Sequence, residues 1–93
     1  MEDAKKGYEI KQKNNYLIVI DIINNNLIIE CDNKTTGVYF VSKNYTLEDL
    51  KTMNKYFRNI NNIKDIQTIL NTTIEKAKIG LLEDFNQITI FFI

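Results

Sequence analysis

The sequence predicts an α+β domain: an antiparallel sheet of about five strands with a pair of helices packed on one face, in the order β-β-β-α-α-β-β. Three observations carry this prediction. Residues Tyr45 to Ala77 hold two amphipathic patterns of helical period, each with its own start signal; β-branched and aliphatic runs precede and follow them; and clusters of Asn, Asp and Gly punctuate those runs.

The first helix has three start signals. Thr46 is an N-cap, Asp49 stands three residues on as a short capping-box partner, and Tyr45 and Leu50 occupy the positions of a hydrophobic staple. From there Leu47, Leu50, Met53, Phe57 and Ile60 recur at three- and four-residue steps, so the spacing predicts one core-facing stripe. Asn59, Asn61 and Asn62 break it, and Asn62 caps a second helix with Asp65 three residues in. Its stripe is Ile63, Ile66, Leu70, Ile74 and Ala77, widened by Ile69. Lys76 and Lys78 fall near the C-terminal end, where the helix dipole favours cations.

The strands are read in order. Met1 to Gly7 is a loose lead-in, and Lys5, Lys6, Lys11 and Lys13 form a mild basic cluster without the interleaved aromatics of a nucleic-acid footprint. Tyr8 to Lys13 is extended. Tyr16 to Ile23 is a strong strand with Asp21 as the polar residue of its second half, followed by a turn at Asn24 to Asn26 and a return strand from Leu27 to Asp32. Asp32 to Gly37 is a turn, and Val38 to Ser42 a third strand of the meander. After the helices come a strand at Ile79 to Glu83, a turn at Asp84 to Gln87 and a last strand at Ile88 to Ile93. Gly80 marks a bulge or a close approach.

Composition bounds the function. Ninety-three residues make a single domain, 1–93, and 44% hydrophobic with 26% charged residues is too apolar for a disordered chain. Twelve basic and twelve acidic side chains cancel, so no global field draws in nucleic acid. No apolar run reaches the roughly 20 residues of a transmembrane segment, and the charged start is no signal sequence, which predicts a cytoplasmic protein. The N-x-T matches at Asn33, Asn44 and Asn71 follow from the high Asn content rather than from glycosylation.

Little chemistry can be written. The chain has no histidine to activate Cys31 or Ser42 and too few His and Cys ligands for a transition metal, so no catalytic set and no cofactor is expected. A calcium loop at Asp32 to Gly37 fails because Lys34 stands where a ligand oxygen belongs. A two-carboxylate site fails on register: a two-residue loop sets Asp21 opposite Ile28, a three-residue loop opposite Ile29, and neither brings it to Glu30 or Asp32. Three glycines are too scattered to cradle phosphate.

The aromatics carry the remaining signal. Phe85 lies in a turn, where a bulky apolar residue either folds back on a helix or enters a partner, and Tyr56 lies off the helical stripe. The last strand, with Ile88, Ile90, Phe91 and Phe92, is apolar on both faces, the pattern of an edge that pairs with a partner or of a fragment of a longer chain.

The run of strands, Tyr45-Thr46-Leu47-Glu48-Asp49-Leu50 into two helices, then strands again, resembles small α+β modules of protist structural proteins. It is also similar to the head domains of centriolar and coiled-coil scaffold proteins. The likeness spans Tyr16 to Ile93 as an order of elements; the chain holds no heptad segment, so no dimerisation residue carries over. The apolar last strand and the lack of a catalytic set predict a non-catalytic interaction or self-association module of a structural or scaffold protein, cytoskeleton-associated, whose partner is a protein, a second copy included. The alternative is a peptide- or lipid-binding module with a pocket between sheet and helices.

Overall fold

A computed structural model describes residues 7–85 and 87–93; the lead-in up to Lys6, including Lys5 and Lys6 of the basic cluster, lies outside the described residues. Four strands come first: β1 (Gly7–Lys11), β2 (Asn15–Ile23), β3 (Asn26–Asn33) and β4 (Tyr39–Val41). Helix α1 (Leu47–Met53), a 3-10 turn (Lys55–Phe57) and helix α2 (Ile63–Glu75) follow, then β5 (Ile79–Asp84) and β6 (Gln87–Phe92). The class is α+β and every pairing is antiparallel, but the expected single sheet is two: a meander β1-β2-β3-β4 and a separate hairpin β5-β6.

The β2–β3 register follows from its turn. Asn24 and Asn25 both have positive φ, 52° and 63°, the left-handed pair of a two-residue hairpin turn that Asn tolerates well. The strands therefore close with Ile23 opposite Asn26, and Asp21 falls opposite Ile28. Tyr16, Ile18, Ile20, Leu27 and Cys31 consequently share one buried face. Beyond β4 the chain rejoins β3: Leu27 and Tyr45 exchange both backbone hydrogen bonds, at 2.8 and 2.9 Å. Between these two pairings the Ile29 N–H donates to the Ser42 hydroxyl instead of to a strand carbonyl.

Helix α1 is shorter than its apolar stripe. Thr46 and Asp49 form the capping box in both directions, and the donated Thr46 N–H holds the Asp49 carboxyl below its ordinary pKa. Asn54 then takes an extended conformation and its side chain accepts from the Tyr56 N–H, starting the 3-10 turn. Met53 is thereby displaced from the stripe and stands 62% exposed, while Phe57 still enters the core. Asn62 caps α2 by accepting from the Lys64 N–H. At the other end Ala77 is not a helical stripe residue: it has φ 57° and lies past the helix in a Schellman closure, with Lys78 N–H donating to Thr73 C=O and Ala77 N–H to Ile74 C=O.

Ile63, Ile66, Leu70 and Ile74 of α2, with Leu50 and Phe57, join the inner face of the meander in one core. Each such side chain contributes about 1.5 to 3 kcal/mol on burial. The core also takes in Ile79 and Leu81, which explains the split sheet: β5 turns its apolar face onto the meander rather than aligning its edge with β1 or β4.

Candidate association surface

The β5–β6 hairpin alternates strictly. Ile93 N–H donates to Lys78 C=O, so Gly80–Phe91, Leu82–Thr89 and Asp84–Gln87 are the hydrogen-bonded pairs. Ile79, Leu81 and Glu83, with Ile88, Ile90 and Phe92 opposite them, turn inward; Gly80, Leu82 and Asp84, with Phe91, Thr89 and Gln87, turn outward.

Polar contacts lock the inward face. One Glu83 carboxylate oxygen accepts from the Tyr16 hydroxyl at 2.9 Å and from the fully buried Asn33 side-chain amide at 2.7 Å. Asn33 spends its other end on the backbone, its carbonyl accepting from the N–H groups of Thr35 and Thr36. Burial, reinforced by the bond to Glu83, raises the Tyr16 pKa. The Cys31 thiol is pushed up to about 11, by burial first and then by the carboxylates of Glu83 and Asp32, which leaves it protonated and unreactive at neutral pH. The outer border of β5 is closed by a side chain: Gln12 donates to Leu81 C=O and accepts from Leu81 N–H, both at 2.9 Å.

The outward face carries two large apolar side chains among polar ones. Leu82 is 66% exposed and Phe91 46% exposed, and the Phe91 ring lies so close over Gly80 that a Cβ there would collide with it. The glycine is a close approach, not a bulge. Phe85, in the turn at the hairpin tip, is 93% exposed, the most exposed of the large apolar residues, and does not fold back onto a helix. Its N–H donates to the Asp84 carboxylate, which holds the turn.

At the opposite end of the hairpin, Phe92 packs against Tyr56 (ring centroids 5.9 Å apart) and edge-on to Phe57 (6.5 Å). These rings wall a cavity of about 270 Å³ that is completed by Ile69, Thr72, Thr73, Ile93 and the two lysines Lys76 and Lys78. A second groove, about 290 Å³, runs between β4 and β6, lined by Ile29, Cys31, Phe40, Tyr45, Ile88 and Ile90. Along it β6 pairs with β5 alone, so the N–H and C=O groups of Ile88, Ile90 and Phe92 point away from any strand of the two sheets.

The structure thus brings Tyr56 and Phe92 together, seats Ile88 and Ile90 between core and groove, leaves Phe91 on the outward face, and sets Phe85 alone at the far tip. Glu83, Asn33 and Gln12 hold this hairpin in place and were not singled out in the sequence as hairpin anchors, because their partners lie 50 to 69 residues away. Lys76 and Lys78, read as helix-end cations, also line a cavity. Among the described residues there is no cluster of His, Cys, Asp and Glu fit to hold a metal, and no helix long and apolar enough to cross a membrane. Compared with known proteins, the chain matches no family model, no curated protein and no solved structure.

Proposed function

We propose that this chain is a non-catalytic protein–protein association module of an intracellular structural or scaffold protein, and that the β5–β6 hairpin makes the contact. The observation that carries the reading is the hairpin's double character. Its inward face is buried and hydrogen-bonded, yet Leu82, Phe85 and Phe91 stand outward on a frame held rigidly by Glu83 and Gln12. Exposed apolar groups grouped on one small element favour a partner surface over scattered surface residues. The resemblance of the element order to scaffold-protein heads agrees with this reading.

Size-exclusion chromatography with light scattering over a wide concentration range tests it. The expected outcome is a mass that rises with concentration, and a Phe85→Ala variant that associates less while melting at the same temperature. A mass that stays at one chain throughout, or loss of fold in step with loss of association, would count against self-association.

The groove between β4 and β6 favours a second reading, an extended peptide added to the open border of β6. In that case a peptide of alternating apolar residues would perturb Ile88 and Ile90 in an NMR titration, while the chain alone stayed monomeric.

A further inference from the structure

We propose that copies of this chain join head to tail, the Asp84–Phe85 tip of one hairpin entering the aromatic cavity of the next copy between Tyr56, Phe57, Phe92 and the lysines Lys76 and Lys78. This inference rests on the self-association reading above and specifies its geometry.

Knob and socket match in shape and in charge. Phe85 presents a whole ring to solvent, and Asp84, also exposed, stands next to it. The cavity offers three rings and Ile69 to an entering aromatic group, with two ammonium groups among its lining residues. The segments that carry them differ in charge, although Lys13 lines the same concavity as Asp84 and Phe85. From Lys51 to Lys78 the chain carries six cationic side chains against two carboxylates, whereas from Ile79 to Ile93 it carries Glu83 and Asp84 and no cation. Glu83 is engaged inward with Tyr16 and Asn33, whereas Asp84, whose Oδ1 accepts from the Phe85 N–H, is the exposed carboxylate at the tip that meets the lysines. Such pairing steers encounter and sets orientation as much as it adds affinity.

The contact is intermolecular by construction. Tip and cavity lie at opposite ends of one hairpin, and at about 3.4 Å per residue the run from Lys78 to Phe85 spans roughly 24 Å. No copy can fill its own cavity. Because the two surfaces differ, the contact is heterologous, and unless the rotation between copies closes a ring it propagates as a chain.

The test uses three full-length proteins: wild type, Phe85→Ser, and the double variant Lys76→Glu/Lys78→Glu. All the altered side chains are exposed, so circular dichroism should match wild type, and melting should change only by the few degrees that two anions at the C-terminal end of α2 cost. At concentrations where wild type associates, each variant alone should run as one chain. Phe85→Ser should weaken association at least about 30-fold, the loss of a buried aromatic anchor. Mixed in equal amounts, the variants should form a species of two chains and nothing larger, since one supplies an intact tip and the other an intact cavity. Raising the salt from about 0.05 M to about 0.5 M should dissociate it, as screening shortens the reach of the charges. A mixture that stays monomeric overturns the head-to-tail contact. So does a Phe85→Ser protein that associates like wild type, although self-association by another surface would then still stand; a wild type monomeric at every concentration sinks both.

Discussion

The meander with α2 and the β5–β6 hairpin obey the same alternation and put it to different ends. In the meander the inward face of β2 and β3 is covered by α2 with Ile63, Ile66, Leu70 and Ile74, and the apolar side chains Leu17, Val19 and Ile28 of the outer face are each half-buried. In the hairpin the inward residues Ile79 and Leu81 are buried, yet Leu82, next to Leu81, and Phe91, opposite Gly80, are apolar and face outward. Burial accounts for one face of the hairpin. The other face has no folding duty beyond Phe91 covering Gly80, and that surplus is what directs attention to association.

Neighbouring leucines of β5 give the most direct way to break the comparison. Leu81→Ala should cost about 2 to 5 kcal/mol in urea denaturation, the range for a large aliphatic removed from a packed core. Leu82→Ala should stay within about 0.5 kcal/mol. Equal losses at the two positions would mean that the outer face is a second core surface after all. Next in size, Asn33→Ala should destabilise by about 1 to 3 kcal/mol, because it strips one donor from Glu83 and leaves the Thr35 and Thr36 amides without their acceptor. A neutral result would show that the hairpin is held by apolar contact alone.

A pH series sharpens the same point. Cys31 titrates at about 11 in the fold against an ordinary value of 9.0, and Tyr16 is shifted in the same direction. A raised pKa means that the folded state keeps the proton longer. The thiol's contribution, roughly 3 kcal/mol, is therefore complete below pH 9 and is lost as the pH climbs through 11. Stability should fall over that window, and Cys31→Ala should flatten the part due to the thiol. The smallest effect is a gain: Ala77→Gly should stabilise by about 0.5 to 1 kcal/mol, since a left-handed φ of 57° at a Schellman closure favours glycine. Thermal melts resolve a change of that size.

What could be read from residues alone was what short-range physics decides. The caps at Thr46 and Asn62 and the two-residue Asn24–Asn25 turn each follow from side chains a few positions apart, and the turn then sets Asp21 opposite Ile28. The early end of α1 was hidden in Asn54, one asparagine among many, whose side chain competes with the helix for the next amide. The split of the sheet was out of reach because it depends on Ile79 and Leu81 entering a core built from the far end of the chain, where Gln12 and Tyr16 also meet the hairpin. Of the candidate surface, Phe85 was legible as an apolar residue in a polar turn. The cavity that Tyr56 and Phe92 build with two lysines was not, since its parts come from α2, the 3-10 turn and β6.

Gln12 has a further consequence, for misfolding. By giving both ends of its amide to Leu81 it imitates a neighbouring strand and closes that stretch of β5 to cross-β stacking. The ribbon is thus blunted on one border, while along β6 the backbone of Ile88, Ile90 and Phe92 has no strand beside it among the described residues. Growth of a cross-β stack from this hairpin would begin on the β6 side, and Gln12→Val would open its other border.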